Sequence, residues 1–382
     1  MTIINILLLA LHLLAVNVAS AGPLVCIWLH HRGARGDEAA WRVGRRLAWL
    51  SLACLVFGFL LGLVQLALAR TGGAQSYWDI IGRLPIRDLI FVLVEVAFSA
   101  VCLAIYAALW QALRARPWLH GFIAVLATTN LLYHFPPLMT VLGELSARPE
   151  LATESTLTRD VIMDLIVRPE IMALVVHFII ASVAVTGVVL MQLARRDADL
   201  RSESLAASGK LVSAGAWIAL IASLAQLGIG AWLLVELPAS ARNGLLGKDA
   251  LSAAMFAASL ILAFGLIHAL AQVALGGTTN FAVHRSTLLM LIVVLLMTAT
   301  LARSRQLSAT RVVTAAQRRH HLAVGVSPRP ANQRNHLAAQ RRHQNDVAAA
   351  RLDRQRYCYK RLEAVSKPGA SAPRLILSAD TR

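Results

Sequence analysis

Eight stretches of roughly 20 predominantly apolar residues recur along the first three quarters of the chain, and no other sequence feature constrains the fold as strongly. A bilayer core about 30 Å thick takes roughly 20 helical residues per crossing. Inside lipid, every backbone N–H and C=O must find its partner within the segment or its neighbours, and helices satisfy that requirement unaided. The segments fall near 3–29, 44–69, 86–113, 118–145, 169–194, 210–236, 250–275 and 283–302. With 57% hydrophobic residues and a mean hydropathy of +0.62, the chain holds far more apolar surface than one water-soluble core would hide. The expected fold is all-α: a polytopic membrane helix bundle of about eight transmembrane helices over residues 1–302, with the lipid bilayer as its solvent. Residues 303–382 are expected to form a basic, disordered tail.

The net charge of +17 over 382 residues suggests nucleic acid until it is divided along the chain. Residues 303–382 hold 17 of the 37 Lys and Arg but 4 of the 20 Asp and Glu, which leaves 20 basic against 16 acidic residues in 1–302. The pI near 11.1 therefore belongs to the tail, and no nucleic-acid partner is expected. The tail is rich in Arg, His, Gln and Ala with little apolar periodicity, the composition of a solvated extension. Its Arg content also leaves an anionic-lipid contact open. Arg32, Arg35, Arg42, Arg45 and Arg46 follow the first span, Arg114 and Arg116 the third, and Arg195, Arg196, Arg201 and Lys210 the fifth. The positive-inside tendency places those loops in the cytoplasm and the N-terminus outside.

The four cysteines, Cys26, Cys54, Cys102 and Cys358, form no CxxC pair and no CxxCH haem-attachment site. The N-terminal apolar run lacks a basic n-region and continues through Trp28, so it reads as a membrane helix rather than a signal peptide. No GxxxxGK[ST] or GxGxxG fingerprint is present.

Ionisable side chains inside spans are costly and tend to mark function. His12, Glu95, His134 and His177 come from four different spans, and each lies roughly 12–17 Å below the outer boundary at 1.5 Å of rise per residue. A single intramembrane His is as apt to bond a neighbouring helix as to bind a ligand. Four at one depth fit a haem held by His or Met from facing helices, with acidic groups handling protons. His268 falls nearer the cytoplasmic side and is expected to make a structural hydrogen bond. His30, His31, His120 and His284 are expected at the interfaces, and tryptophans such as Trp28, Trp41, Trp78 and Trp118 in interfacial belts.

These residues resemble subunit I of the cytochrome bd quinol oxidases. His12 followed by Pro23 is similar to that family's first helix, which carries a haem-ligand His. LVEVAF around Glu95 resembles its third-helix LE-x-x-F segment, and Asn130-Leu-Leu-Tyr-His134-Phe-Pro136 its Asn-x-Trp-Met-Gln-x-Pro stretch, with His134 at the family's Gln. His177 with FIIASVAVTGVVL is similar to the segment whose His ligates low-spin haem b, and Met255 matches the Met that completes that pair. The resemblance covers about 1–275. It implies a membrane cytochrome of the bacterial inner membrane with haem b between His177 and Met255, a second haem at His12, Glu95 and His134 as proton-handling groups, and redox partner subunits. Departures are equally definite. Only 237–249 joins the sixth and seventh spans, where the family has a long quinol-binding segment, the GRQPW-type motif is absent, and Arg87 stands about where a second acid belongs. Stand-alone quinol oxidation is therefore not expected. The competing reading is a cofactor-free helical membrane protein, a transporter or assembly factor on the same scaffold.

Overall fold

A computed structural model describes residues 3–71, 75–201 and 205–324. The described residues are helical and contain no strand. Eight helices are long and apolar enough to cross a membrane: Ile3–Ala34, Glu38–Ala69, Ile86–Ala108, Pro117–Ala147, Pro169–Leu200, Gly209–Glu236, Ala250–Ala274 and Asn280–Leu307. The protein is an integral membrane helix bundle. In chain order its α-helices are α1 (Ile3–Ala34), α2 (Glu38–Thr71), α3 (Gln75–Gly82), α4 (Ile86–Ala108), α5 (Pro117–Thr129), α6 (Phe135–Ala147), α7 (Arg159–Ile166), α8 (Pro169–Arg201), α9 (Leu205–Glu236), α10 (Ala239–Asn243), α11 (Ala250–Ala274) and α12 (Asn280–Val324).

Short connections make successive spans antiparallel, so the α1–α2, α4–α5, α8–α9 and α11–α12 turns share one face, called here the basic face. There Asp197, almost fully buried, forms ion pairs with Arg42 at 2.9 Å and Arg46 at 3.0 Å, tying the start of α2 to the end of α8. Arg114 reaches Glu38 at 2.6 Å, joining the α4–α5 turn to α2. The opposite face carries the short helices α3 and α7. Their apolar residues Ile80, Ile162 and Leu165, with Leu157 just before α7, pack with Val141 and Leu145 of α6 and with Ile171 and Val175 of α8.

Small residues let the long helices approach closely, as expected where lipid removes the hydrophobic drive for helices to associate. On α8 and α9, a Cβ added at Gly187 would fall 2.6 Å from the Ala219 nitrogen, and one at Gly215 would fall 2.8 Å from the Gly187 carbonyl. Asn17 of α1 accepts from the Ser182 hydroxyl of α8 at 2.8 Å, and Ser213 of α9 donates to the Ala274 carbonyl of α11. These bonds fix the register of four helices.

The boundary expected at 302 is not where the helix ends. α12 runs on to Val324, and its residues just past 302 are engaged. Arg303 forms an ion pair with Asp249 at 3.2 Å, and Arg305 donates to Glu144 at 3.1 Å across Gly143. Carboxylates on neighbouring elements hold that stretch of helix, a tertiary effect invisible to local composition. Residues 315–382 form a separate unit of which only the helical stretch to Val324 is described. The disorder expected of the rest of the tail, and Cys358, lie outside the described residues.

Candidate functional site

The site grows from the facing surfaces of α4 and the α5–α6 helix. On α4, Glu95, Ser99, Cys102 and Tyr106 are all buried, and their spacing of three to four residues puts them on one face. Opposite them the chain departs from α-geometry: Asn130–His134 is a π-helix. Pro136 and Pro137 follow at once. Neither has an N–H for the carbonyl one turn earlier, so the helical ladder fails there and a bulge takes up the mismatch.

The bulge aims two side chains at α4. The Asn130 amide donates to the Glu95 carbonyl at 2.8 Å and to the Ser99 hydroxyl at 2.7 Å. Its own oxygen faces His134 Nδ1 at 2.9 Å, and the same Nδ1 contacts Glu95 Oε1. Both partners of Nδ1 are acceptors, so Nδ1 carries the hydrogen. The Glu95 side chain is 11% exposed and that of His134 is 44% exposed, so the imidazole covers the carboxylate from the rim of the bundle. Such a couple is able to hold or pass a proton inside the apolar part of the protein. Sequence reading supplied Glu95 and His134. Ser99 was missed, although its place one turn after Glu95 signals a shared face.

His12 and His177 lie elsewhere. His12 Nδ1 donates to the Gly58 carbonyl of α2 at 2.8 Å, and its ring edge lies 3.3 Å from where a Cβ at Gly62 would sit. The His177 backbone carbonyl accepts from Gln226 of α9 at 2.7 Å, while His177 Nδ1 and Gln226 Oε1 are buried without a partner. The Asn17–Ser182 bond places α1 and α8 side by side and parallel, with His12 and His177 each five residues before it. Five residues turn a helix by about 140° from the contact. For parallel helices that rotation sends the two imidazoles to opposite sides, toward α2 and toward α9.

Met255 stands apart from His177 in depth. The Ser213–Ala274 bond aligns α9 with α11, so Met255, 19 residues before Ala274, is level with residue 232 of α9. His177 is level with Gln226, which is six residues or about 9 Å deeper. α8 and α11 each pack on α9. The depth layer read from the sequence thus resolves into one joined pair, Glu95–His134, and two residues, His12 and His177, in separate settings. Among the described residues no three His, Cys, Asp or Glu gather into a metal-binding group.

Two expectations for the basic end are corrected. His30 and His120, near the helix ends of the basic face, do not face outward but are almost wholly buried, with Trp41, Tyr106 and Trp110 around them. The His120 ring stacks on Tyr106 at 3.9 Å, and the His30 ring lies 5.0 Å from Trp41. Trp41 accordingly belongs to the core, whereas Trp118, 83% exposed, fits a belt. Among the described residues His268 has no hydrogen-bond partner, where a structural bond was expected. It lines an open cavity with Ala271, Gln272, Leu275 and Arg285.

No protein-family model matches the chain, and no curated protein matches it.

Proposed function

We propose that the chain is a membrane electron-transfer protein of the cytochrome bd subunit I type, in which His177 holds haem b and the Glu95–His134 couple handles protons. The observation that supports it is the His177 imidazole. Its Nδ1 is buried without a partner among the described residues, as is the side-chain oxygen of Gln226, whose amide donates to the His177 carbonyl, and buried polar atoms left without partners call for an explanation. A haem iron there would supply one-electron chemistry. The rest belongs to the chain's own groups. His177 offers a nitrogen lone pair, Gln226 anchors the α8 backbone beside it, and Glu95 exchanges a proton with His134 under the fixed dipoles of Asn130 and Ser99. Met255 is the second ligand that the resemblance supplies, and its offset of about 9 Å toward the opposite face is the weakest part of the fit. Redox partner subunits and a bacterial inner-membrane location belong to the same proposal.

The cofactor-free reading draws on a different observation. The His12 Nδ1 bond to Gly58, at 2.8 Å, is the kind of interhelical contact that makes an intramembrane histidine a structural group. On that reading Glu95–His134 is helix-to-helix glue.

The reduced-minus-oxidised spectrum of the purified chain from haem-replete cells separates the two. The cytochrome reading expects the sharp bands of low-spin haem b, abolished by His177→Ala and unaffected by His268→Ala. Met255→Ala turns the haem high-spin if Met255 is the sixth ligand, and an unchanged spectrum assigns that position to another group. A colourless protein overturns the reading in favour of the cofactor-free scaffold.

A further inference from the structure

Where α11 turns into α12 on the basic face, a charge stands without its counterpart. Arg285 lies five residues into α12, about 7–8 Å along the helix. Its one hydrogen bond goes to a neutral group, the Gln272 side-chain oxygen of α11, at 3.0 Å. Its Nε is buried and unpartnered, and among the described residues it takes part in no ion pair. Nor does the neighbouring sequence offer one, since residues 250–345 contain no Asp or Glu. Guanidinium groups in membrane-spanning segments are normally paired, so an unpaired one beside an open space implies an anion from outside the chain.

The open space is a cavity of about 530 Å³ lined by His268, Ala271, Gln272, Leu275 and Arg285. His268 makes no hydrogen bond to a described residue, which leaves its ring nitrogens as a second polar contact. The start of α9 runs close by: a Cβ added at Gly209, next to Lys210, would fall 3.7 Å from the Thr278 hydroxyl in the α11–α12 turn. The turn itself is tight, with Gly276 at φ +107°. Away from the turn, the polar rim gives way to apolar side chains facing outward. Ile261 and Phe264 of α11 and Leu288 and Leu291 of α12 are exposed, as are Leu275 and Phe281 at the turn itself. A headgroup-sized basic hollow at the depth of the membrane boundary, continuous with an apolar lane along two helices, matches an amphiphile rather than a soluble ion.

The geometry points to a binding site for an anionic phospholipid, its phosphate held by Arg285 with His268 and Gln272, and its acyl chains along the exposed faces of α11 and α12. The phosphate supplies the negative charge that no described residue brings to Arg285. The guanidinium fork suits phosphate oxygens, and the neutral Gln272 orients the fork without competing for it. This site is independent of the haem proposal, because it lies at the other side of the membrane from His177.

Native mass spectrometry of the full-length protein tests it, after delipidation in detergent and addition of dioleoyl phosphatidylglycerol or dioleoyl phosphatidylcholine. The expected result is a preferential phosphatidylglycerol adduct, weakened roughly tenfold in Arg285→Gln, the effect of losing about 1.4 kcal/mol, and retained in Arg285→Lys. His268→Gln should weaken it less. Equal binding of the two lipids overturns the proposal, as does an Arg285→Gln adduct of wild-type strength. Displacement of the lipid by millimolar inorganic phosphate overturns it in favour of a soluble-anion site. Should Arg285→Gln fail to fold, the headgroup comparison on wild-type protein and the Arg285→Lys variant carry the same decision.

Discussion

Gly187→Ala tests whether α8 and α9 are held together by backbone proximity. The added Cβ would lie 2.6 Å from the Ala219 nitrogen and 2.8 Å from the Gly215 carbonyl, against 3.4 Å or more for ordinary contact. Both obstacles are backbone, so no side chain is able to swing aside, and the helices must separate locally by about 0.8 Å. Overpacking of this kind costs roughly 1–3 kcal/mol. Replacing a mid-helix glycine also gains about 1 kcal/mol of helix propensity, so the raw effect understates the clash. Gly228→Ala on α9 removes that ambiguity, because a Cβ there meets nothing within 4 Å. The propensity gain is common to both variants and cancels in their difference, which should be about 1–3 kcal/mol, a factor of roughly 5 to 150 in the unfolding constant. Reversible unfolding in mixed micelles, followed by tryptophan fluorescence, measures it. Equal stabilities for the two variants would refute the claim that the glycine contact sets the α8–α9 distance.

Three further outcomes follow from the opposite face. Hydrogen bonds from Arg303, then from the Ser252 side chain and backbone, hold the Asp249 carboxyl down to about 2. A depressed carboxylate contributes stability that is fully present above the unfolded value near 4 and is lost as pH falls toward 2, so Asp249→Asn should flatten the acid limb of a stability-against-pH profile in that window. An unchanged acid limb would count against the Arg303 link. Arg305→Ala, which strips Glu144 of one of its two guanidinium partners, should lower stability by about 1 kcal/mol. A chain ended after residue 302 should melt lower than one ended after 324, whereas equal melting points would mean that Arg303 and Arg305 hold nothing.

The membrane bundle was legible in the sequence because the signal is one-dimensional: the apolar runs near 3–29 through 283–302 had to be helices once lipid was their solvent. Span ends were less legible. α4 stops at Ala108 rather than near 113, and α12 passes 302 without a break, since carboxylates on other elements and turn geometry decide where a helix ends. The depth of Glu95 and His134 was also readable, because rise per residue converts position into height.

Azimuth was not. Which way a side chain points around its helix depends on crossings and register that distant bonds establish. Asn17 to Ser182 turns His12 and His177 apart, and Ser213 to Ala274 lifts Met255 above His177. The π-helix brings His134 onto Glu95. Burial of His30 and His120 likewise depended on Trp41, Tyr106 and Trp110 converging from α2 and α4 with its following turn. The sequence alone determined that the chain is a bundle of membrane helices with polar groups at set heights, because hydrophobicity and helical rise are properties of a single segment. Tertiary structure alone decided which of those groups meet, because that depends on how helices rotate against one another.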